Sequence, residues 1–377
     1  MTVAKEIGRS PETISEGIRS TVYTPDYIVT NTQLAQFLNE QGVRTKSERK
    51  ITEEEIVRRT GIESRHLLQP LGDSPHIRSE VVPEMANRVI EEVALKTQWS
   101  QVDCLFTLHS LPYKKSLIRS VADHLETNCN ISVVRTFPDV YAECASPIWT
   151  LHYIRLMQNE FLGKSIVIVS SEYLSPIADG LNQTLLSDGA AAFAFCYGQD
   201  LEVLGSAAKH FPEFKSLIRA PIKPEYLPPE GYLFFFEVGE PSEKRDNSES
   251  QIGGLPMEYG EIEPQVLSWA LDQQTFPPLI KETFEGAGIE PNEITLVVPH
   301  QANKRITEGL RKLLPPLGIQ AEVYSNIENH GNTGAVSILL AWHEATLEGK
   351  INKGDNVLLL GFGAGMTAAA AVVKVLK

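Results

Sequence analysis

The sequence of 377 residues has few cysteines and no long apolar run. Its four cysteines show neither CxxC spacing nor a regular pattern, so we predict no metal site and no disulfide framework. The first ten residues contain no signal-peptide core, and no later segment approaches the roughly 18 apolar residues of a membrane span. We therefore expect a cytoplasmic enzyme that requires no metal or cofactor.

Basic residues are also scarce. The chain has 34 Lys and Arg against 48 Asp and Glu, a net charge of −14. Nucleic acids and anionic membranes are bound through a basic field, so this balance argues against both as partners. Any polyanionic partner must instead bind a local basic patch.

Short apolar runs bounded by turn residues alternate with helical patterns. The predicted strands are 105–108, 166–169, 190–195, 233–236, 296–298, 357–360 and 368–375, and helical patterns cover 148–157 and 335–345. Several of the runs are continuously apolar, as expected for buried strands. The alternation predicts a layered α/β fold.

Two segments of the chain repeat each other. Residues 99–110 resemble residues 289–301, because each has a short acidic turn, an apolar strand and then a histidine. The same offset of 191 residues pairs the strand at Ile166 with the strand at Val357. We therefore predict a duplicated α/β unit, although α/β strands can also resemble each other by chance. The predicted halves are 1–204 and 205–377, with an inserted loop region at about 205–260.

Cys144 lies where a strand-like segment meets an apolar helical pattern. Pro147 is typical of a first helical turn, so Cys144 is expected at a helix N-terminus. The helix dipole and the free amides would lower the thiol pKa and produce a nucleophile. A structural buried thiol is the alternative.

Two further polar residues lie next to apolar elements. His300 directly follows a predicted strand, and Asn332 precedes an apolar helix. With Cys144 they form a plausible constellation for acyl transfer, although a lone histidine is more often structural. The glycine-rich segment 361–367 follows another strand and would bring backbone amides close to a reacting carbonyl oxygen.

A basic stripe is predicted on the helix that starts near Asn303. Its members share one helical face and are Lys304, Arg305, Arg311 and Lys312. On an acidic chain this is the local patch that an acidic carrier protein would bind. A solvated helix face without a partner is the alternative.

Taken together, these motifs resemble the ketoacyl-ACP synthase III branch of the thiolase superfamily. The matching segments are DVYAECAS, VPHQANKRI, NHGNTGAVS, GFGAGMT, YTPDYIVTN, VRRTGIESRH and SDGAAAFAF. They cover most of the chain outside 205–260. The resemblance implies a duplicated αβαβα five-layered sandwich, a homodimer, and acyl carrier protein or coenzyme A thioesters as partners.

The resemblance also implies roles for single residues. Cys144 would take an acyl group as a thioester, and the backbone amides of Cys144 and Ala364 would form its oxyanion hole. A neutral His300 and Asn332 would bind the carbonyl of a malonyl-carrier thioester and stabilise its enolate. Arg305 would bind the carrier protein. The implied reaction is decarboxylative Claisen condensation, in fatty-acid or polyketide-type biosynthesis.

Two other functions stay open at this point. An acyltransferase that moves the Cys144 acyl group to an alcohol or amine would need the same cysteine and histidine. Asn332 favours condensation, because an enolate needs a second donor. A non-catalytic partner subunit is disfavoured by the intact set of three residues.

The chain departs from the family pattern at two positions. Glu55 stands where a tryptophan usually stacks on the adenine of coenzyme A. Its charge would repel the phosphates, so we expect a carrier-bound acyl donor. Glu143 directly precedes the nucleophile, where a small residue is common. A buried carboxylate there would raise the thiol pKa, so Glu143 is expected to point away.

Overall fold

The computed structural model describes residues 17–45, 47–73, 80–110, 116–178, 180–214, 266 and 268–377. The strand predicted at 233–236 and most of the predicted loop region lie outside these residues. Within them, no helix has the length and apolar character that crossing a bilayer requires.

Each half of the chain contributes one large sheet with its helices. The first half contains β1 (Arg19–Tyr23), β2 (Tyr27–Thr30), α1 (Asn31–Glu40), α2 (Glu53–Thr60), β3 (Ser64–Leu67), α3 (Val81–Thr97), β4 (Gln101–Leu108), α4 (Leu117–Asn128), β5 (Ser132–Thr136), α5 (Ser146–Leu156), α6 (Gln158–Phe161), β6 (Ser165–Glu172) and β7 (Gly189–Cys196). The second contains β8 (Leu201–His210), α7 (Phe276–Glu285), β9 (Leu296–Pro299), α8 (Lys304–Leu313), β10 (Glu322–Val323), α9 (Ile327–His330), α10 (Val336–Leu347), β11 (Asn356–Gly363) and β12 (Thr367–Val375).

The two large sheets have the same topology. The strand order is β1-β7-β6-β4-β5 in the first and β8-β12-β11-β9-β10 in the second. In each sheet, the last three strands of that order are parallel and the first two pair antiparallel. Strands β6 and β11 are related by the predicted offset of 191 residues over their whole length. The predicted duplication is thereby confirmed.

The sheets and helices form five layers. Helices α5 and α10 lie between the two sheets, in one core cluster with strands of both. Helices α3 and α4 cover the outer face of the first sheet. Helices α7 and α8 cover the outer face of the second. The predicted αβαβα sandwich is therefore what the chain forms.

Burial on both faces explains the continuously apolar strands. In β11, Val357 and Leu359 pack into the central layer, whereas Leu358 and Leu360 pack into the outer core of the second half. The next residue, Gly361, lies where both central helices meet the strand. A Cβ there would lie 2.9 Å from Ile148 Cδ1 and 3.3 Å from Ile338 Cδ1, so a larger residue would require both side chains to shift. The sequence pattern and the layered packing therefore have the same cause.

Strand β8 was not among the predicted strands. Its sequence alternates between buried and half-buried residues, and it forms the edge of the second sheet next to β12. Glycine, serine and alanine in its middle weaken the strand signal. The division of the chain near residues 204 and 205 stays a prediction.

Candidate active site

Cys144 lies in a short 3₁₀ turn, Glu143–Ala145, which leads directly into α5. Pro147 occupies the first turn of α5, so the predicted position at a helix N-terminus is confirmed. The Ser146 hydroxyl accepts from the Ala142 amide (2.9 Å) and donates to the Glu143 carbonyl (2.7 Å). These bonds fix the backbone on both sides of the thiol.

The prediction that the helix lowers the thiol pKa was wrong. Burial raises the pKa of Cys144 well above its usual value, and the carboxyl groups of Glu143 and Glu172 raise it further. A hydrogen bond from Ser110 acts in the opposite direction. Loss of hydration is the largest cause and the two nearby acids follow, so the net direction is opposite to the one expected from the helix N-terminus.

The sequence led us to expect that Glu143 points away from the nucleophile, and this expectation was wrong. Its side chain is only 6% exposed, and its backbone adopts a left-handed conformation with φ of 51°. Burial and the neighbouring Glu172 carboxylate raise the pKa of Glu143 well above its usual value. Within the part of the chain that the structure describes, Glu143 Oε1 has no hydrogen-bond partner.

Glu172 and Ser110 belong to the same site, and the sequence analysis missed both. Glu172 ends β6 and is fully buried. Its Oε1 accepts from the Ser110 amide and the Ser110 hydroxyl (2.6 Å each) and from the Ala335 amide (3.2 Å). Burial raises the pKa of Glu172 to about 7. The available signal was a carboxylate at the carboxyl end of an apolar parallel strand, where α/β folds place their sites.

His300 is held in one orientation by the second half. Its amide donates to Leu360 O (2.8 Å), and its Nδ1 lies 2.6 Å from Ser337 Oγ. Ser337 Oγ accepts from the Gln301 amide (3.3 Å), and among the described residues His300 Nδ1 is the acceptor within hydrogen-bond distance of its proton. We therefore assign that proton to the Ser337–Nδ1 bond and the ring proton to Nε2. Burial lowers the pKa of His300 to about 3, so the ring is neutral at pH 7.

Asn332 lies in the loop between α9 and α10. Its amide donates to Leu185 O (2.8 Å), and its carbonyl accepts from the Ser187 amide (2.9 Å). The side-chain Oδ1 accepts from the Gly334 amide (2.9 Å), which leaves Nδ2 as the donor end. The asparagine belongs to the second half but is therefore anchored on the first.

The start of α10 links these groups. A Cβ on Gly334 would lie 3.0 Å from Ser110 Oγ and 3.2 Å from Glu172 Cδ, so the Asn332 loop packs directly on both. Two residues after Ala335, whose amide binds Glu172, Ser337 binds His300. The groups around Cys144, His300 and Asn332 are thus joined through one helix end.

The segment that carries Ala364 packs against the Cys144 turn. Gly361 and Gly363 belong to β11 itself, and the turn between β11 and β12 covers only residues 364–366. The prediction that the whole glycine-rich segment follows the strand was therefore wrong. A Cβ on Gly363 would lie 2.6 Å from both Ala142 O and Glu143 Cβ. Glycine therefore allows the close approach that places Ala364 beside the nucleophile segment.

The predicted basic stripe lies on α8, which begins at Lys304. Its buried face is formed by Ile306, Leu310 and Leu313, whereas Arg305, Arg311 and Lys312 are exposed and Lys304 is partly exposed. Lys304 Nζ lies 3.0 Å from Glu328 Oε1. The charge of Lys304 is therefore compensated within the chain.

Glu55 is compensated as well. On α2 its carboxylate binds Arg58 (2.8 Å) and Arg59 (2.7 Å), and the hydrogen bond from Arg58 lowers the pKa of Glu55. The expected repulsion of phosphates is thus weaker than the sequence suggested. Gly61 caps the C-terminus of α2, and a Cβ there would collide with the side chain of Lys304, so α2 and α8 form one continuous surface.

Known proteins resemble the chain over nearly its whole length. Residues 284–375 match the family model described as 3-oxoacyl-[acyl-carrier-protein] synthase III, C terminal. The β-ketoacyl-[acyl-carrier-protein] synthase III of Caldanaerobacter subterraneus is 27% identical over 373 residues, which cover 96% of this chain and 98% of the relative.

Solved structures show the same fold. The 3-oxoacyl-[acyl-carrier-protein] synthase III of Aquifex aeolicus is 24% identical with a TM-score of 0.69, covering 95% of this chain and 99% of that one. The priming β-ketosynthase of the R1128 polyketide pathway is 21% identical with a TM-score of 0.66, covering 95% of each chain. The resemblance is confirmed in sequence and fold: the chain is similar to ketoacyl-ACP synthase III enzymes and has the thiolase-type fold.

Proposed function

We propose that the enzyme transfers an acyl group to Cys144 and then condenses it with a malonyl-carrier thioester. The observation that carries this proposal is the pair of hydrogen bonds that orient His300 through Nδ1 and Asn332 through Oδ1, which assigns the neutral donor ends to His300 Nε2 and Asn332 Nδ2. Fixed neutral donors are what an enolate oxygen requires. The β-ketoacyl product would enter fatty-acid or polyketide-type biosynthesis.

In the first step, Cys144 Sγ attacks the carbonyl carbon of an acyl thioester. The new C–S bond replaces the bond to the donor's sulfur, and the donor leaves as a thiol. The amides of Cys144 and Ala364 would hold the carbonyl oxygen while it carries negative charge. Their placement at the start of α5 and at the turn after β11 supports this role.

In the second step, His300 and Asn332 would bind the thioester oxygen of the malonyl unit. The bond to the carboxylate breaks, carbon dioxide leaves, and the electron pair forms an enolate on the malonyl unit. The enolate carbon attacks the acyl carbonyl, and the Cys144 thiolate leaves. The buried ring of His300 cannot become a cation near pH 7, so it acts as a hydrogen-bond donor throughout.

Acyl transfer to an alcohol or amine remains the second candidate. It would need His300 as a base, yet its ring is assigned a proton at Nε2 and is a weak base. When acyl-loaded enzyme is given malonyl-carrier protein, a primary alcohol and a primary amine in parallel, we expect discharge only to a β-ketoacyl thioester. Mass spectrometry of the products checks this. If the acyl group were transferred only to the alcohol or the amine, the proposed condensation would be wrong and the enzyme would be an acyltransferase of the second kind.

We further propose that the exposed side of α8 binds the acidic carrier protein. Changing both Lys304 and Arg305 to Glu should raise KM for a carrier-bound substrate and flatten its salt dependence, because attraction becomes repulsion. Steady-state kinetics at several salt concentrations measure both effects. A variant with Lys281→Glu and Lys353→Glu, two exposed positions elsewhere, is the control for net charge. Equal kinetics for both double variants would remove α8 as the binding surface.

A carrier-bound donor stays part of the proposal because Glu55 engages both arginines of α2, which would otherwise be available to the phosphates of coenzyme A. Repulsion of phosphates by Glu55 itself no longer supports it, because that charge is compensated. A homodimer, implied by the resemblance, and a location in the cytoplasm, expected from the sequence, complete the proposal.

A further inference from the structure

The two halves of the chain meet at a buried carboxyl group, that of Glu172. Strand β6 alternates its side chains between the outer core and the central layer, and Ile166 and Ile168 pack into the central layer. Glu172 ends the strand at an even spacing from both, so its side chain points to the same layer, where α10 lies. Because it is fully buried, its oxygens depend on hydrogen bonds from the surrounding chain.

The hydrogen bonds of Glu172 join the two halves. Its Oε1 accepts from the Ser110 amide and the Ser110 hydroxyl at 2.6 Å each, and Ser110 follows β4 in the first half. The same oxygen accepts from the Ala335 amide at 3.2 Å, at the start of α10 in the second half. One oxygen atom therefore bridges the end of β4, the end of β6 and the beginning of α10.

Helix α10 has no local cap at this end. Ala335 occupies its N-cap position and makes no side-chain capping bond. The next two amides, of Val336 and Ser337, donate to the carbonyls of Thr333 and Gly334 within the second half (3.1 and 3.2 Å). The carboxyl group from the first half thus takes the place of a local cap, and negative charge is favourable at a helix N-terminus.

Both proposed enolate donors are held by residues close to Ala335. The amide of Gly334, directly before it, donates to Asn332 Oδ1 at 2.9 Å. The hydroxyl of Ser337, two residues after it, lies 2.6 Å from His300 Nδ1. A shift of the first turn of α10 would therefore move both donors relative to the nucleophile.

We propose that Glu172 is a positioning residue for condensation, because through Ala335 it holds the start of α10 on the first half and so places both donors relative to Cys144. The proposal rests on the proposed function and deepens it, since it names the residue that keeps the two halves of the site in register. In this role Glu172 neither touches a substrate nor moves a proton.

The role requires an acceptor oxygen rather than a charge. The three bonds end on Oε1, whereas Oε2 has no hydrogen-bond partner among the described residues. Burial raises the pKa of Glu172 to about 7, so both protonation states are populated near neutral pH. A proton on Oε2 leaves Oε1 as an acceptor, and the carbonyl oxygen of a glutamine is an acceptor as well. Substitution can therefore separate the acceptor from the charge.

Glu172→Met and Glu172→Gln are a matched pair of equal side-chain length, of which only glutamine keeps the acceptor. When acyl-loaded enzyme is mixed with malonyl-carrier protein, we expect Glu172→Met to condense about 100-fold more slowly, the loss that a misplacement of about 1 Å can cause. Its acyl loading should be retained, because Ser146 fixes the Cys144 turn. Glu172→Gln should perform both steps at the rate of the unmodified enzyme. Intact mass at successive times measures both steps.

Three results of this experiment would overturn the proposal. Unchanged condensation in Glu172→Met would show that the bond to Ala335 is not needed. An equal loss of acyl loading and condensation in that variant would show that Glu172 supports the whole site rather than the placement of the second half. A loss in Glu172→Gln as large as that in Glu172→Met would assign the effect to the charge instead of the acceptor.

Hydrogen exchange at the start of α10 gives a second measurement that needs no substrate. The Ala335 amide should be protected in the unmodified enzyme and in Glu172→Gln, and it should lose protection in Glu172→Met. Equal protection in all three proteins would contradict the proposal. If the unmodified enzyme did not condense malonyl-carrier protein, the proposed function would fail, while the exchange pattern would still decide whether Glu172 holds α10. The two failures are therefore distinguishable.

Discussion

An Asn332→Ala or His300→Ala variant should load an acyl group on Cys144 and then fail to extend it. Each substitution removes one donor to the enolate, and the loss of one such donor in other enzymes lowers the rate about 100- to 1,000-fold. The Cys144 turn is held by Ser146, and the amides proposed for its oxyanion hole remain, so acylation should persist. Intact mass after addition of an acyl thioester and malonyl-carrier protein measures the adduct and the product together.

Asn329→Ala is the matched control for Asn332. Asn329 is an exposed asparagine in the same loop region, at the end of α9. Its replacement should leave product formation intact. If Asn332→Ala condensed as fast as this control, Asn332 would not be an enolate donor.

Cys144→Ala is expected to lose the acyl adduct and all β-ketoacyl product. The donors His300 and Asn332 are held by Ser337 and Gly334 rather than by the thiol, so they should still bind malonyl-carrier protein and release carbon dioxide. Carbon dioxide release and intact mass measure the two activities in one sample. Cys196→Ala, at the end of β7, is the control and should keep full activity.

An acyl adduct that persists in Cys144→Ala would place the nucleophile at another cysteine. The candidates are Cys104, Cys129 and Cys196, and burial raises the pKa of all three thiols. Peptide mapping identifies which one carries the group. Any of them would contradict the account.

The architecture was predictable because it repeats in the sequence. Strands β6 and β11 contain the continuously apolar runs 166–169 and 357–360, since each strand is covered by helices on both faces, and the offset of 191 residues relates the two strands over their whole length. The position of Cys144 at the start of α5 was equally predictable, because Pro147 follows it by three residues and proline is typical of a first helical turn. Such signals are local or periodic, so they can be read from one chain.

The electrostatics of the site were not predictable in the same way. The Ser110 hydroxyl donates a hydrogen bond to Glu172, which lies 62 residues away in the sequence. The Ala335 amide donates to the same carboxylate from the other half of the chain. The burial of these groups changes the thiol pKa in the direction opposite to the helix dipole. Glu143 was visible as an unusual residue, but only the fold determines that its carboxyl group is buried.

One measurement tests the central claim most directly: intact mass and peptide mapping of Asn332→Ala after incubation with an acyl thioester and malonyl-carrier protein. The account predicts the acyl mass on Cys144 alone, with β-ketoacyl product formed about 100- to 1,000-fold more slowly than by the unmodified enzyme. Product formed at the rate of the unmodified enzyme, or an acyl group on any other residue, would contradict it.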